Sequence, residues 1–364
     1  MELALYHPEF GYYVRPTDTP HTERIGWSGD FYTSSDVHPI LGEALARQTI
    51  QIDAVLGHPD LFTVVEMGPG KGLLARDFLA ACARSSESFL RRLRYILIER
   101  SPAMRDLQRQ HLAPRMGPDG PASWVADLSE LPAQGVVGLF LSNELVDAFP
   151  VHRIQIVNGR PQEIYVGWYN GRFSETLGPL STPELERYLY RVAPALADGY
   201  RTEINLDALK WMRDVARCLT RGVVITIDYG HTSQDLYGPD RSQGTLLCYY
   251  HQTASEDPYS RVGEQDMTAH VDFTSLATVG EEAGLSPTGF TNQMSFLMSL
   301  GIEQMLETLQ PESPEFYAAI QLLRPEGMGR TFKVFIQHKG MAKPALDGLT
   351  FQPFFGEALT AIAS

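Results

Sequence analysis

The chain has 364 residues, 43% of them apolar and 20% charged, and carries a net charge of −14. That length builds one large decorated α/β domain or about two smaller ones, and no run approaches the roughly 18–20 apolar residues that a membrane helix requires. The acidic balance repels phosphate backbones, which excludes DNA as a partner and disfavours RNA. The N-terminus, MELALYHPEFGYY, lacks the basic and apolar regions of a signal peptide and the Arg-rich character of a transit peptide, so a cytoplasmic protein is expected. Cys82, Cys218 and Cys248 are widely spaced and form no CxxC pair. A sparse, odd set fits a reducing compartment, and no metal site is expected.

Taken in chain order, PILGEALARQTIQIDAVLG (39–57) has helical spacing of its apolar residues. LFTVVEM (61–67) is a short β-branched run that stops at glycine and reads as a buried strand. GLLARDFLAACARS (72–85) is helical, RYILIER (94–100) is the next strand, and SPAMRDLQRQHL (101–112) opens a helix with Ser101 as N-cap and Pro102 in its first position. SWVADL (123–128) and GVVGLFLSNEL (135–145) are the third and fourth strands. This alternation predicts a doubly wound parallel sheet. The rhythm then breaks at 151–178, where Asn158-Gly159 and Asn170-Gly171 each sit between alternating apolar stretches and predict an inserted antiparallel meander. Helices are expected at about 183–197 and 206–220. GVVITIDYG (222–230) resumes the sheet, and a long polar loop and a helix at about 272–284 come next. SPTGFTN (286–292) can supply a sixth strand. Helical stretches fill 295–324, RTFKVFIQHKG (330–340) alternates as an edge strand does, and the last twenty residues read as a surface arm.

The loop VVEMGPGKGLL (64–74) carries the chemistry. Lys71 is followed by Gly72, not Ser or Thr, which rules out a phosphate-binding Walker loop. A dinucleotide fingerprint needs its third glycine one residue later. Glu66 at the strand end would also oppose a pyrophosphate. The pattern acid-x-G-x-G-x-G, with Gly68, Gly70 and Gly72, suits a cationic, phosphate-free ligand, S-adenosylmethionine. Glu99, at the end of the second strand, is placed to accept both ribose hydroxyls. Asp127 can accept the adenine amino group with Leu128 packing on the ring, although Asp127 could equally cap the turn it begins.

Seven blocks occur in order: ALYHPEFGYY (4–13), GDFYTSSDVHPILGEALA (29–46), VVEMGPGKGLLARDFL (64–79), SNELVDAFPVHR (142–153), IDYGH (227–231), GTLLCYYHQ (244–252) and DMTAHVDF (266–273). Together they resemble the MidA family of class I methyltransferases over about residues 3–340. Its mitochondrial members assist respiratory complex I assembly by dimethylating an arginine of a core subunit. The chain departs from the family in two places. Ser34-Ser35 stands where the family has Ser-Pro, and the family carries a helix ahead of the block that here follows Met1.

The resemblance implies a Rossmann-like class I fold with an antiparallel edge strand and an N-terminal lid over the cofactor. Residues 1–60 would hold the lid and first helix. The core would span 61–340, with insertions at about 151–220 and 231–270, and an arm would follow at 341–364. In the lid, Gly29, Asp30, Phe31, Thr33 and Ser34 would meet the cofactor, and Asn143 would meet it from the fourth strand. With no targeting peptide visible, a bacterial cytoplasmic setting is expected.

Methyl transfer needs an aligned nucleophile and a destination for its proton, and in a doubly wound sheet the acceptor lies beyond the strand carboxyl ends. Glu144 and Asp147, three apart, are expected on one side of a helical turn. Two carboxylates suit a guanidinium, which stays charged in water; the alternative is that Asp147 caps a helix and Glu144 binds the methionine amino group. His231, after the fifth strand, would face the same cleft, as would Asp228 and Tyr229, while His251, Asp266 and His270 could line the channel or pin its loop. The expected activity is arginine methylation of a protein substrate, a complex I-type subunit or analogue. The alternatives are a small-molecule methyltransferase and a cofactor-binding assembly chaperone with little turnover. The oligomeric state is left open.

Overall fold

The computed structural model describes residues 1–15, 24–26, 29–116, 120–192 and 196–351. The distal part of the expected C-terminal arm and the end of the helix expected at 183–197 lie outside them. The chain begins with α1 (Glu2–Tyr6), α2 (Ser34–Val37) and α3 (Ile40–Val55). Strands β1 (Phe62–Met67), β2 (Leu93–Ile98), β3 (Ala122–Val125) and β4 (Val136–Asn143) then alternate with α4 (Leu73–Ser85), α5 (Glu87–Leu90) and α6 (Pro102–Met116). The Ser101 hydroxyl accepts the Met104 amide at 3.4 Å, as an N-cap does.

After β4 come β5 (His152–Val157), β6 (Arg160–Tyr169), β7 (Arg172–Gly178), α7 (Pro183–Val192), β8 (Arg201–Ile204) and α8 (Leu206–Cys218). The chain returns to the core in β9 (Leu219–His231) and α9 (Ser233–Leu236). It continues through β10 (Leu247–Tyr250), β11 (Thr253–Ser255), β12 (Asp266–Thr268) and β13 (Val271–Asp272), and then α10 (Phe273–Glu282), β14 (Ser286–Asn292) and β15 (Phe332–Lys339).

The central sheet runs β14-β15-β9-β4-β1-β2-β3, with β13 also paired to β9. Strands β9, β4, β1, β2 and β3 are parallel. Their apolar runs lack alternation because both faces are covered. Val64, Leu139 and Ile225 turn to the side of α3 and α4, with Leu41, Leu45 and Phe78. Val65, Phe140 and Val224 turn to the side of α8 and α10, with Met212, Val215 and Leu276.

The last strand corrects an expectation. β15 is antiparallel to both neighbours, β9 and β14, and is one place in from the edge, which β14 occupies. Its alternation suggested a wet face, but Lys333, Gln337 and His338 are all buried. Lys333 donates to the Arg330 carbonyl, and His338 Nδ1 lies 2.9 Å from Thr288 Oγ1 on β14. Polar side chains that are buried in the fold, two of them with internal partners, gave the strand its half-exposed pattern.

The two Asn-Gly pairs turn the meander, with φ of 52° and 71° at Asn158 and Gly159 and 50° and 75° at Asn170 and Gly171. β8 joins its far side, in the order β7-β6-β5-β8. The small sheet meets the segment that leaves the carboxyl end of β9: Thr245 N donates to Glu203 Oε2 at 2.7 Å, and the Tyr259 hydroxyl reaches Glu175 at 3.0 Å. The expected long polar loop contains a second small sheet, β11-β10-β12. These strands of three and four residues are too short to show a period. Ala4, Leu5 and Tyr12 pack against Cys248 and Met267 of this sheet, which fastens the N-terminal block onto the same end of the molecule.

Candidate active site

The glycine loop leaves β1 and enters α4. Gly68, Gly70 and Gly72 have φ of 70°, 49° and 78°, a region that only glycine enters freely. A Cβ on Gly70 would meet nothing within 4 Å, so this point of the loop faces open space. Glu66 is not turned toward that space. It is 2% exposed, accepts the Tyr95 hydroxyl at 2.8 Å from β2, and burial pushes its carboxyl up to about 7.

Glu99 follows β2 and stays half-buried. Its Oε1 accepts the Ser101 amide at 2.8 Å and its Oε2 accepts Gln108 Nε2 at 3.2 Å, while burial raises its pKa. Gln108 also donates to the Gly70 carbonyl at 2.7 Å and accepts from Trp124 Nε1 at 2.8 Å. It thus ties the loop, the Glu99 carboxylate and β3 together. Sequence reading missed it, because a glutamine on a helix carries no signal of its own. Asp127 does cap its turn, accepting the Ser129 amide at 2.9 Å, and it lies 2.5 Å from Arg100 Nη2. Leu128 is largely spent on the core, where it packs with Val136 and Phe140.

The N-terminal segment divides. Thr33 caps α2 through a reciprocal pair with Asp36. Lys71 Nζ of the glycine loop lies 2.5 Å from Asp36 Oδ1. The Ser34 amide donates to Glu144 Oε1 at 2.9 Å and its hydroxyl to Gln293 Oε1 at 3.2 Å. Thr33 and Ser34 therefore stand where the glycine loop meets the end of β4. Gly29, Asp30 and Phe31 instead fasten the segment to the β10–β11 turn. Asp30 accepts the Tyr12 hydroxyl at 2.9 Å and the His251 amide at 2.8 Å. Phe31 packs on the N-terminal cluster, and a Cβ on Gly29 would strike the Arg24 carbonyl at 2.3 Å.

Beyond β4 the expected helical turn is absent. Glu144 has φ 53°, outside the helical region, and its amide donates to the Ile227 carbonyl at 2.9 Å. The turn is shaped by Asp228. Its Oδ2 accepts the amides of Leu145, Val146 and Asp147 at 3.2, 2.9 and 3.4 Å, and its Oδ1 accepts the Tyr229 amide at 2.9 Å. Asp228 is fully buried and therefore positions the turn. Glu144 and Asp147 still come close enough for each charge to oppose the other. Asp147 is 4% exposed, its carboxylate meets the Tyr229 hydroxyl, and its Oδ1 has no hydrogen-bond partner. Asn143 Nδ2 donates to Glu144 Oε1 at 3.0 Å, while Asn143 Oδ1 is buried without a partner. His231 lies against His270, ring centroids 5.2 Å apart, and burial holds His270 neutral, with its pKa lowered to about 4.

Burial, first among the causes, pushes Glu144 up to about 8, Asp228 and Glu66 to about 7, and Asp147 well above the carboxylate range. Raised carboxylates stabilise the fold while protonated and lose that contribution as pH climbs through the folded pKa. Unfolded carboxylates are ionised well below about pH 7 and unfolded histidines have lost most of their protons by about pH 7.5, so between about pH 7.5 and 8.5 the thermal midpoint is expected to fall with pH. The buried Met1 amino group, whose pKa is lowered, opposes this but is outnumbered. A calorimetric midpoint that stayed level or rose across this window would contradict the assignment.

The open face of Gly70, the Glu99 carboxylate and the partnerless Asn143 Oδ1 fit a ligand with ribose hydroxyls and an amino group. Residues 44–291 match the family described as "Putative S-adenosyl-L-methionine-dependent methyltransferase". The chain belongs to this family.

Its fold agrees with a COG1565 superfamily protein from Burkholderia thailandensis bound to S-adenosyl-homocysteine, at 30% identity and a TM-score of 0.85, covering 95% of this chain and 88% of that one. The native crystal structure of a COG1565 protein from the same organism gives 29% and 0.81, over 96% and 88%. Among curated proteins, protein arginine methyltransferase NDUFAF7 of Mus musculus is 29% identical over 92% of this chain and 79% of its own length. The Drosophila melanogaster homolog is 27% identical over 95% and 82%. The methyltransferase uses S-adenosylmethionine, which supplies an electrophilic sulfonium methyl when bound. The expected cytoplasmic location does not stand, because these curated relatives are named mitochondrial. Among the described residues no helix is long and apolar enough to cross a membrane, and no group of His, Cys, Asp and Glu could hold a metal ion.

Proposed function

We propose that this methyltransferase transfers its methyl group to an arginine side chain of a protein, in a respiratory-chain subunit of the complex I type or its counterpart. The observation that carries the reading is Asp147, buried beyond β4 with Oδ1 partnerless and Glu144 beside it. A buried carboxylate oxygen with no partner is costly, and a guanidinium offers the planar array of donors that offsets the cost. Glu144 and Asp147 would orient the guanidinium and draw its charge away from the attacking nitrogen. Asn143, Glu99 and the Gly68–Gly72 loop would hold the cofactor, and Asp228 would keep the acceptor turn in shape. The names of the curated relatives point the same way.

The test is incubation with methyl-labelled S-adenosylmethionine and host lysate, followed by mass spectrometry of the label. A labelled protein carrying methylarginine is expected. Label in the small-molecule fraction alone would make this a small-molecule methyltransferase. No label in either fraction would leave an assembly chaperone that binds the cofactor.

A further inference from the structure

The N-terminal block and β12 meet across a separation of 253 residues, where the Tyr13 hydroxyl donates to Asp266 Oδ1 at 2.6 Å. Tyr6 stacks on Tyr13, with centroids 5.5 Å apart and planes 27° from parallel, and donates to the Ala148 carbonyl at 2.9 Å. The Ala269 amide, three residues past Asp266, donates to the Asp147 carbonyl at 3.0 Å. Tyr249 stands opposite Asp266 in the β10–β12 pair. Asp147 and Asp266, 4% and 2% exposed, therefore share one enclosure walled by tyrosines.

Among the described residues no lysine or arginine forms an ion pair with either carboxylate. Structural buried acids normally have such a partner or a full set of hydrogen bonds, and Asp147 Oδ1 has neither. Glu144 is differently placed. Its Oε1 already accepts the Ser34 and Asn143 donors, so it stands on the lid side of the turn.

We propose that Asp266 joins Asp147 and Glu144 as a further anchor of the acceptor cation, gripping with Asp147 a guanidinium that enters between the Tyr6–Tyr13 stack and β12. This deepens the arginine reading and rests on it. One carboxylate takes one edge of the planar guanidinium and the second takes another, while tyrosine faces add cation–π attraction. Asp147 and Asp266 come from segments far apart in sequence and Tyr6 and Tyr13 wall the space beside them, so selection of a cationic acceptor depends on the N-terminal block being docked. Burial raises Asp266 to about 6, and a bound cation would favour its ionised form.

The experiment compares binding of N-acetyl-arginine methylamide and its neutral citrulline counterpart to the full chain, with S-adenosyl-homocysteine present, by ligand-observed NMR. The wild type should prefer arginine by about tenfold or more, and Asp266→Asn should bring the ratio to within about threefold of unity, as loss of a charge-assisted contact predicts. S-adenosyl-homocysteine affinity in that variant reports that the fold is intact. Tyr13→Phe removes the hydrogen bond but leaves the charge, and should keep most of the preference. An undiminished ratio in Asp266→Asn would overturn the assignment and leave the arginine reading standing. An equal collapse in Tyr13→Phe would make Asp266 an anchor for Tyr13 only and would also overturn it. No preference in the wild type would remove the arginine reading itself.

Discussion

Gly70→Val should abolish binding of S-adenosyl-homocysteine, with affinity lowered at least about a hundredfold, while the protein stays folded. Two effects combine at this position. The backbone φ of 49° is strained for any residue with a Cβ and most for a β-branched one, at a cost on the order of 1–2 kcal/mol. The new side chain also projects into the space that faces no protein atom within 4 Å, which is where we propose that the cofactor approaches the backbone. Relaxing the loop would disturb the Gln108 bond to the Gly70 carbonyl and through it the Glu99 carboxylate. Gly171→Val is the matched control. Its φ is 75° with equally open surroundings, but it lies at a hairpin tip. That variant should lose stability and keep its affinity. Calorimetric titration settles both, and a wild-type dissociation constant in Gly70→Val would sink the loop assignment. Titration with NAD should give no heat.

Glu144→Gln is expected to lower turnover of an arginine acceptor roughly ten- to a hundredfold, because a charge-assisted hydrogen bond is worth about 1.5–3 kcal/mol. Glutamine keeps an oxygen for the Ser34 amide, so this contact with the N-terminal segment survives the change. S-adenosyl-homocysteine affinity should therefore move little. The pH profile supplies a second readout. Burial holds Glu144 protonated up to about pH 8, so wild-type kcat/KM should rise with pH toward that value, and this limb should vanish in the variant. Unchanged turnover would remove Glu144 from the mechanism. Turnover and cofactor affinity lost together would place it on the cofactor and leave Asp147 as the acceptor carboxylate beyond β4.

The sequence displayed the parts that local physics dictates. Buried parallel strands must be continuously apolar, so β1, β2, β4 and β9 were visible as runs. Type I′ turns need residues that accept positive φ, so Asn158-Gly159 and Asn170-Gly171 marked the meander. The glycine loop was legible for the same reason, since Gly68, Gly70 and Gly72 all occupy the left-handed region. Its acid argued against a phosphate ligand, and that conclusion agrees with the cofactor although Glu66 itself bonds to Tyr95 inside the sheet.

Tertiary structure alone decided how distant groups meet. Three-residue spacing suggested a helical turn for Glu144 and Asp147, yet Asp228, more than eighty residues later, gathers three amides and holds a bend instead. Alternation suggested an edge for β15, yet Lys333, Gln337 and His338 are buried beneath neighbours that no local pattern reveals. Asp30 looked like an anion for the cofactor and proved to be a fastener between Tyr12 and His251. Gln108 and the pairing of Tyr13 with Asp266 left no trace in the sequence. Periodicity and backbone preference are properties of neighbouring residues and can be read along the chain. The partners of a buried polar group are fixed only when remote segments close around it, and in this protein those partners shape the turn beyond β4.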